Sequence, residues 1–112
     1  MKQFTIPAFA AAILMAGATA TLSADVKDNW GSNCAACHGP DGAGHTKSGR
    51  IKGVKNMTDA KYQQGFTDDQ AAKRIKEGLK DSTGKEKMKA FGDKFSDADI
   101  SALVAYVRAF QK

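Results

Sequence analysis

The chain carries 112 residues, 17 basic against 12 acidic side chains, and a formal net charge of +5. That length holds one small domain, and so modest a positive balance argues against a nucleic-acid binder. Both cysteines, Cys34 and Cys37, belong to one short motif, so no thiol remains for a structural disulfide elsewhere.

The first 24 residues read as a targeting segment rather than as part of the fold. Met1-Lys2 gives a positive start, Ile6 to Ala16 is almost entirely apolar, and small residues come next at Gly17, Ala18, Ala20, Ser23 and Ala24. That is the shape of a secretory signal peptide, with cleavage after Ala20 or after Ala24 both open. The apolar run is shorter than a comfortable membrane span; an uncleaved anchor is the alternative. The expected domain is residues 25–112, exported to a bacterial periplasm, with no stable membrane insertion after cleavage. Only Lys2 of the basic residues lies in the leader, so 16 basic and 12 acidic side chains remain, about +4.

The next segment carries the chemistry. Val26, Trp30 and Cys34 recur at helical spacing and predict a helix from Asp25 or Val26 to about Ala36. Its end holds Cys34-Ala35-Ala36-Cys37-His38, the pattern of covalent c-type haem attachment. On a helical turn, residues i and i+3 share a face, so both thiols reach the vinyl groups of one porphyrin. His38, at i+4 from Cys34, brings an imidazole to the iron. Two other uses of a Cys-x-x-Cys pair compete. A thioredoxin-like dithiol needs a βαβ surrounding, and no segment here alternates as strands do. A structural zinc needs four ligands, and outside the motif the mature chain offers only His45.

Gly39 to Gly44 stops the helix, and a glycine-rich loop with His45, Arg50 and Ile51 is expected up to Gly53. Thr58 predicts the cap of a short helix through about Tyr62, ended near Gly65. Thr67-Asp68-Asp69-Gln70 is a capping box opening a helix that turns Ala71, Ala72, Ile75 and Leu79 inward and ends at Gly78. Lys80 to Phe95 has no consistent period and is expected to be an ordered loop. Ser96 then caps a final helix with an apolar stripe of Ile100, Leu103, Val104, Val107 and Phe110, and with Arg108 and Lys112 at its negative end. The fold class is therefore all-α, about four helices around one haem.

An iron held by His38 has one further axial position. His45 lies seven residues past His38 in the same loop and is badly placed to cross to the opposite haem face. Met57 and Met88 remain in the mature chain. Methionine is common core filling, which suits Met57. Met88 stands among Lys85, Glu86, Lys87 and Lys89, where burial has little purpose unless something binds its sulfur. Met88 is thus the expected sixth ligand. His/Met ligation leaves no open coordination site, and such an iron moves electrons rather than binding substrate.

From Trp30 onward the chain resembles a small class I cytochrome c of the bacterial periplasm. The resemblance rests on the haem motif, the Ile75-x-x-Gly78 helix end, Met88-Lys89-Ala90-Phe91, and the helix bearing Asp99-Ile100, Leu103-Val104 and Tyr106-Val107-Arg108. It implies a cytochrome c fold whose first and last helices cross beside the haem, where Trp30 would meet the stripe from Leu103 to Phe110. Three departures stand out. Lys89 replaces the family's usual proline after the methionine. The loop after the motif lacks the proline whose carbonyl accepts from the histidine, a task left to a carbonyl around Gly49 to Ile51. Val26 occupies the place of the small residue at the helix crossing.

The expected function is a periplasmic electron-transfer protein, a monomer and not an enzyme, with one covalent haem c. Lys80, Lys85, Lys87, Lys89 and Lys94 would frame the haem edge and steer redox partners with acidic docking surfaces. Two rivals remain open: a haem-bearing subunit of a larger oxidoreductase, and a ligand-binding or peroxidase-like haem protein with a labile sixth site.

Overall fold

The structure, a computed structural model, describes residues 24–112. The expected leader lies outside the described residues, apart from Ala24, which opens the first helix. The described residues form six helices in order: α1 (Ala24–Asn33), α2 (Ala35–His38), α3 (Lys47–Lys52), α4 (Ala60–Gln63), α5 (Asp68–Glu77) and α6 (Asp97–Ala109). Between α5 and α6 a small antiparallel hairpin pairs β1 (Leu79–Lys80) with β2 (Glu86–Met88), Leu79 opposite Met88. The domain is an all-α fold with this ladder inserted. Among the described residues no helix is long and apolar enough to cross a membrane.

The strongest local signals produce the expected elements. Thr67 Oγ1 accepts from Gln70 N and the Gln70 side chain accepts from Thr67 N, the reciprocal cap that starts α5. Ser96 and Asp99 do the same for α6. The short helix α4 begins one residue later than its sequence suggests, because Asp59 rather than Thr58 takes the capping position and accepts from Lys61 N.

Four expectations need correction. The predicted opening helix is distorted at Cys34, whose backbone at φ −119°, ψ −37° separates α1 from α2 without leaving the right-handed helical region. The expected glycine-rich loop contains a helix, α3, capped by Thr46 and closed by Gly53 in the left-handed region. The expected loop after Lys80 contains β2. Leu79, assigned to the inner face of α5, lies beyond the helix end and is 40% exposed.

α1 lies against α6 around one core of Val26, Trp30, Phe91, Phe95, Ile100, Leu103 and Val107. Trp30 meets Phe110 at 5.0 Å and Tyr106 at 5.5 Å between ring centroids, so the two helices do meet as the resemblance implies.

The outer side of α6 is fixed by a polar junction. Arg108 donates from Nε to Asp68 Oδ1 at 2.8 Å, from Nη2 to Phe66 O at 2.7 Å, and from Nη1 to Gln63 Oε1 and O. Its guanidinium also sits 4.3 Å from the centre of the Phe66 ring. Gln63, fully buried, donates through Nε2 to Met57 O and Val107 O, each at 2.7 Å. Arg108→Ala strips two carbonyls and an amide oxygen of their donor and should cost about 2–3 kcal/mol in urea unfolding. Asp68→Asn removes only an exposed partner and should cost less than about 1 kcal/mol.

Candidate haem-binding site

The motif is built as a continuation of α1. Cys34 N donates to Trp30 O and His38 N donates to Cys34 O, both at 2.9 Å, so the backbone winds helically through both cysteines. Trp30 pins the far end of this turn. Its Nε1 donates to Gly39 O at 3.0 Å, and its ring lies 5.7 Å from the His38 imidazole. On the other flank α3 rests directly on the motif. Thr46 Oγ1 donates to Cys37 O at 2.8 Å, and a Cβ on Gly49 would overlap that same carbonyl.

Met88 arrives from the far end of the chain on β2. Gly78, at φ +74° and ψ −167°, occupies a region open only to glycine, and an added Cβ would stand 2.5 Å from Met88 O. Just beyond the methionine, Phe91 N donates to Ile75 O and Gly92 N to Lys76 O, tying the segment to the end of α5.

These parts surround one cavity of about 920 Å³, lined by Cys34, Cys37, His38 and Met88 together with apolar groups including Phe66, Ile75 and Leu103. Its size suits a cofactor, since ligand sites span about 300–1,000 Å³. His45 is exposed and outside the lining, whereas Met57 lines the cavity and packs on the core. Lys80, Lys87 and Lys89 also line it. Lys85 does not, and Lys94 instead donates to Asn33 Oδ1 at 2.6 Å. Lys52, Lys55, Lys73 and Arg74 join the lining without having been singled out from the sequence.

The electrostatics suit a coordinating set. Burial lowers the His38 pKa, which keeps the imidazole neutral with a lone pair to give. His38 Nδ1 is buried without a hydrogen-bond partner among the described residues. The expected acceptor near Gly49 to Ile51 is therefore not engaged. Because that segment is helical, Gly49 O and Arg50 O are spent on closing α3, accepting from Val54 N and Gly53 N. Burial first, and the Cys37 charge second, push the Cys34 thiol up to about 11. A thiol raised in this way is a poor attacking group for disulfide exchange at Cys34. Among the described residues no group of three or more His, Cys, Asp or Glu side chains is arranged to hold a metal ion. Two thiols, an unpartnered imidazole and a thioether around an apolar hollow fit a haem.

The family described as cytochrome c oxidase, cbb3-type, subunit III matches residues 22–107. The chain belongs to this family. A curated relative, the cbb3-type cytochrome c oxidase subunit FixP of Azorhizobium caulinodans, is 37% identical over 89 residues, 77% of this chain. The chain spans only 28% of that relative's length. Among solved structures, the KustC0563 c-type cytochrome superposes with a TM-score of 0.67 at 30% identity, covering 77% of this chain and 96% of that one. A variant of the same protein gives 0.66 at 30% identity, covering 78% and 99%. The chain is thus a small c-type cytochrome with the cytochrome c fold, and membership implies binding of haem c.

Gly78→Ala should cost about 2–3 kcal/mol in guanidinium unfolding, combining a glycine-only backbone with a clash at Met88. Gly31→Ala, inside α1 with nothing within 4 Å of an added Cβ, should instead stabilise by about 0.5–1 kcal/mol. Equal effects at the two positions would show that the close approach at Gly78 carries no weight.

Proposed function

We propose that this chain is a single-electron carrier working as the haem-bearing module of a larger, cbb3-like oxidase, on the periplasmic face of the membrane. In this reading Cys34 and Cys37 would attach one haem covalently, and His38 and Met88 would hold its iron. The observation that carries it is the convergence of these four side chains on one cavity, drawn from segments far apart in the sequence. When bound, the haem supplies an iron that cycles between ferric and ferrous states.

The chain's own residues hold that iron still. Trp30 and α3 fix the motif, the ties from Phe91 and Gly92 to α5 fix the methionine segment, and little has to move when an electron arrives. With His38 and Met88 both holding the iron, the site would offer no place for a substrate, and no catalytic residue is assigned. The lysines lining the cavity give acidic redox partners a complementary rim. A leader over residues 1–24 would deliver the chain to the compartment where haem c is attached.

A freely diffusing monomeric shuttle is the second reading, compatible with the match to a small c-type cytochrome over 96% of that chain. Purification of the native protein from membranes separates the two. Co-elution with oxidase subunits supports the module, whereas recovery as a free monomer in the periplasmic fraction supports the shuttle.

Met88→Ala should abolish the methionine charge-transfer band of the ferric protein and let the ferrous protein bind carbon monoxide. Retention of the band would remove Met88 from the iron. Neutralising Lys80, Lys87 and Lys89 together should slow reduction by an acidic partner about tenfold at low ionic strength, with the difference vanishing at high salt. An unchanged rate and salt slope would rule out steering by this rim.

A further inference from the structure

We propose that Asp81 is a positioning residue for Met88: its carboxylate closes the hairpin that carries the methionine and thereby sets how often the thioether leaves the iron. The inference rests on the reading of Met88 as axial ligand. Asp81 lies outside the cavity lining and touches no ligand itself.

The hairpin cannot hold its own shape. β1 and β2 contribute two and three residues, their register is irregular between Leu79 and Lys80, and an isolated two-stranded ladder is marginal in water. One side chain adds the most bonds to its closure. Asp81 Oδ1 accepts from Thr83 N at 2.9 Å, from Thr83 Oγ1 at 2.6 Å and from Lys85 N at 3.0 Å. The backbone adds two bonds, with Asp81 N donating to Lys85 O and Gly84 N to Asp81 O. A carboxylate with three donors on one oxygen is a strong local organiser, because hydrogen bonds to an ionised acceptor are about twice as strong as neutral ones.

Met88 hangs between two unequal anchors. On its C-terminal side, buried Phe91 and its neighbour Gly92 are bonded to the last turns of α5. On its N-terminal side the chain runs through the exposed turn from Ser82 to Glu86, held by the Asp81 side chain, two backbone bonds and the short ladder. Segments of this kind open locally at far lower free energy than the core. The weaker anchor governs the departure of the sulfur, so the carboxylate of Asp81 acts on the iron through the backbone of β2.

The test uses the haem-loaded ferric protein and imidazole at saturating concentration, where the rate of uptake is limited by departure of Met88. Asp81→Ala should raise that limiting rate about tenfold, while the guanidinium midpoint for global unfolding stays unchanged. Asp81→Asn keeps an acceptor oxygen in place and should remain within about twofold of the wild type. Ser82→Ala, in the same turn, should match the wild type. An unaltered rate in Asp81→Ala overturns the proposal. So does an acceleration matched by a proportional fall in the unfolding midpoint, which marks a merely structural role. Asp81→Asn behaving like Asp81→Ala overturns it as well. If wild type itself lacks the methionine band and takes up imidazole without rate saturation, the axial reading has failed, and this proposal falls with it.

Discussion

Trp30 joins parts of the molecule that the sequence keeps far apart. It is buried in the core between α1 and α6, its indole nitrogen holds the carbonyl of Gly39, and its ring faces His38 on one side and Phe110 on another. The position of the haem motif is therefore not independent of the C-terminal helix. Disturbing the crossing of α1 and α6 shifts the imidazole, and a shift in the motif is transmitted to the last turn of the chain. An aromatic anchor with a satisfied nitrogen suits this task because it packs over a wide area and still fixes direction.

The cavity that the crossing supports is large for so short a chain. A compact core of seven buried hydrophobic residues stands beside a hollow of about 920 Å³. A small domain buries too little surface to leave such a volume unfilled without losing stability. A flat apolar cofactor resolves the conflict by serving as core and as reaction centre at once. Lys52, Lys55, Lys73, Arg74, Lys80, Lys87 and Lys89 line the same cavity, so positive charge and apolar surface meet at one place.

Much of this was legible from residue type and spacing. Cys34, Cys37 and His38 stand out as one short motif and Met88 through its polar setting, and the structure brings all four to one cavity. The caps at Thr67 and Ser96 are local hydrogen-bond devices, so sequence alone places α5 and α6. What stayed hidden depends on tertiary contact. Lys47–Lys52 lacks an apolar stripe and is helical because Thr46 bonds across to Cys37 O and Gly49 fits under the motif. The ladder under Met88 is too short to alternate. Arg108 reads in the sequence as a simple complement to a helix dipole, and only the fold reveals that it gathers Gln63, Phe66 and Asp68.

Both amide hydrogens of Gln63 are committed, one to the carbonyl of Met57 and one to that of Val107. The stretch between positions 57 and 63 consequently has a single permitted length: inserting or deleting one residue would leave two oxygens stranded in the interior. Divergence among relatives should therefore spare the spacing of this segment, and changes in chain length should collect instead at the solvent-facing bend between β1 and β2.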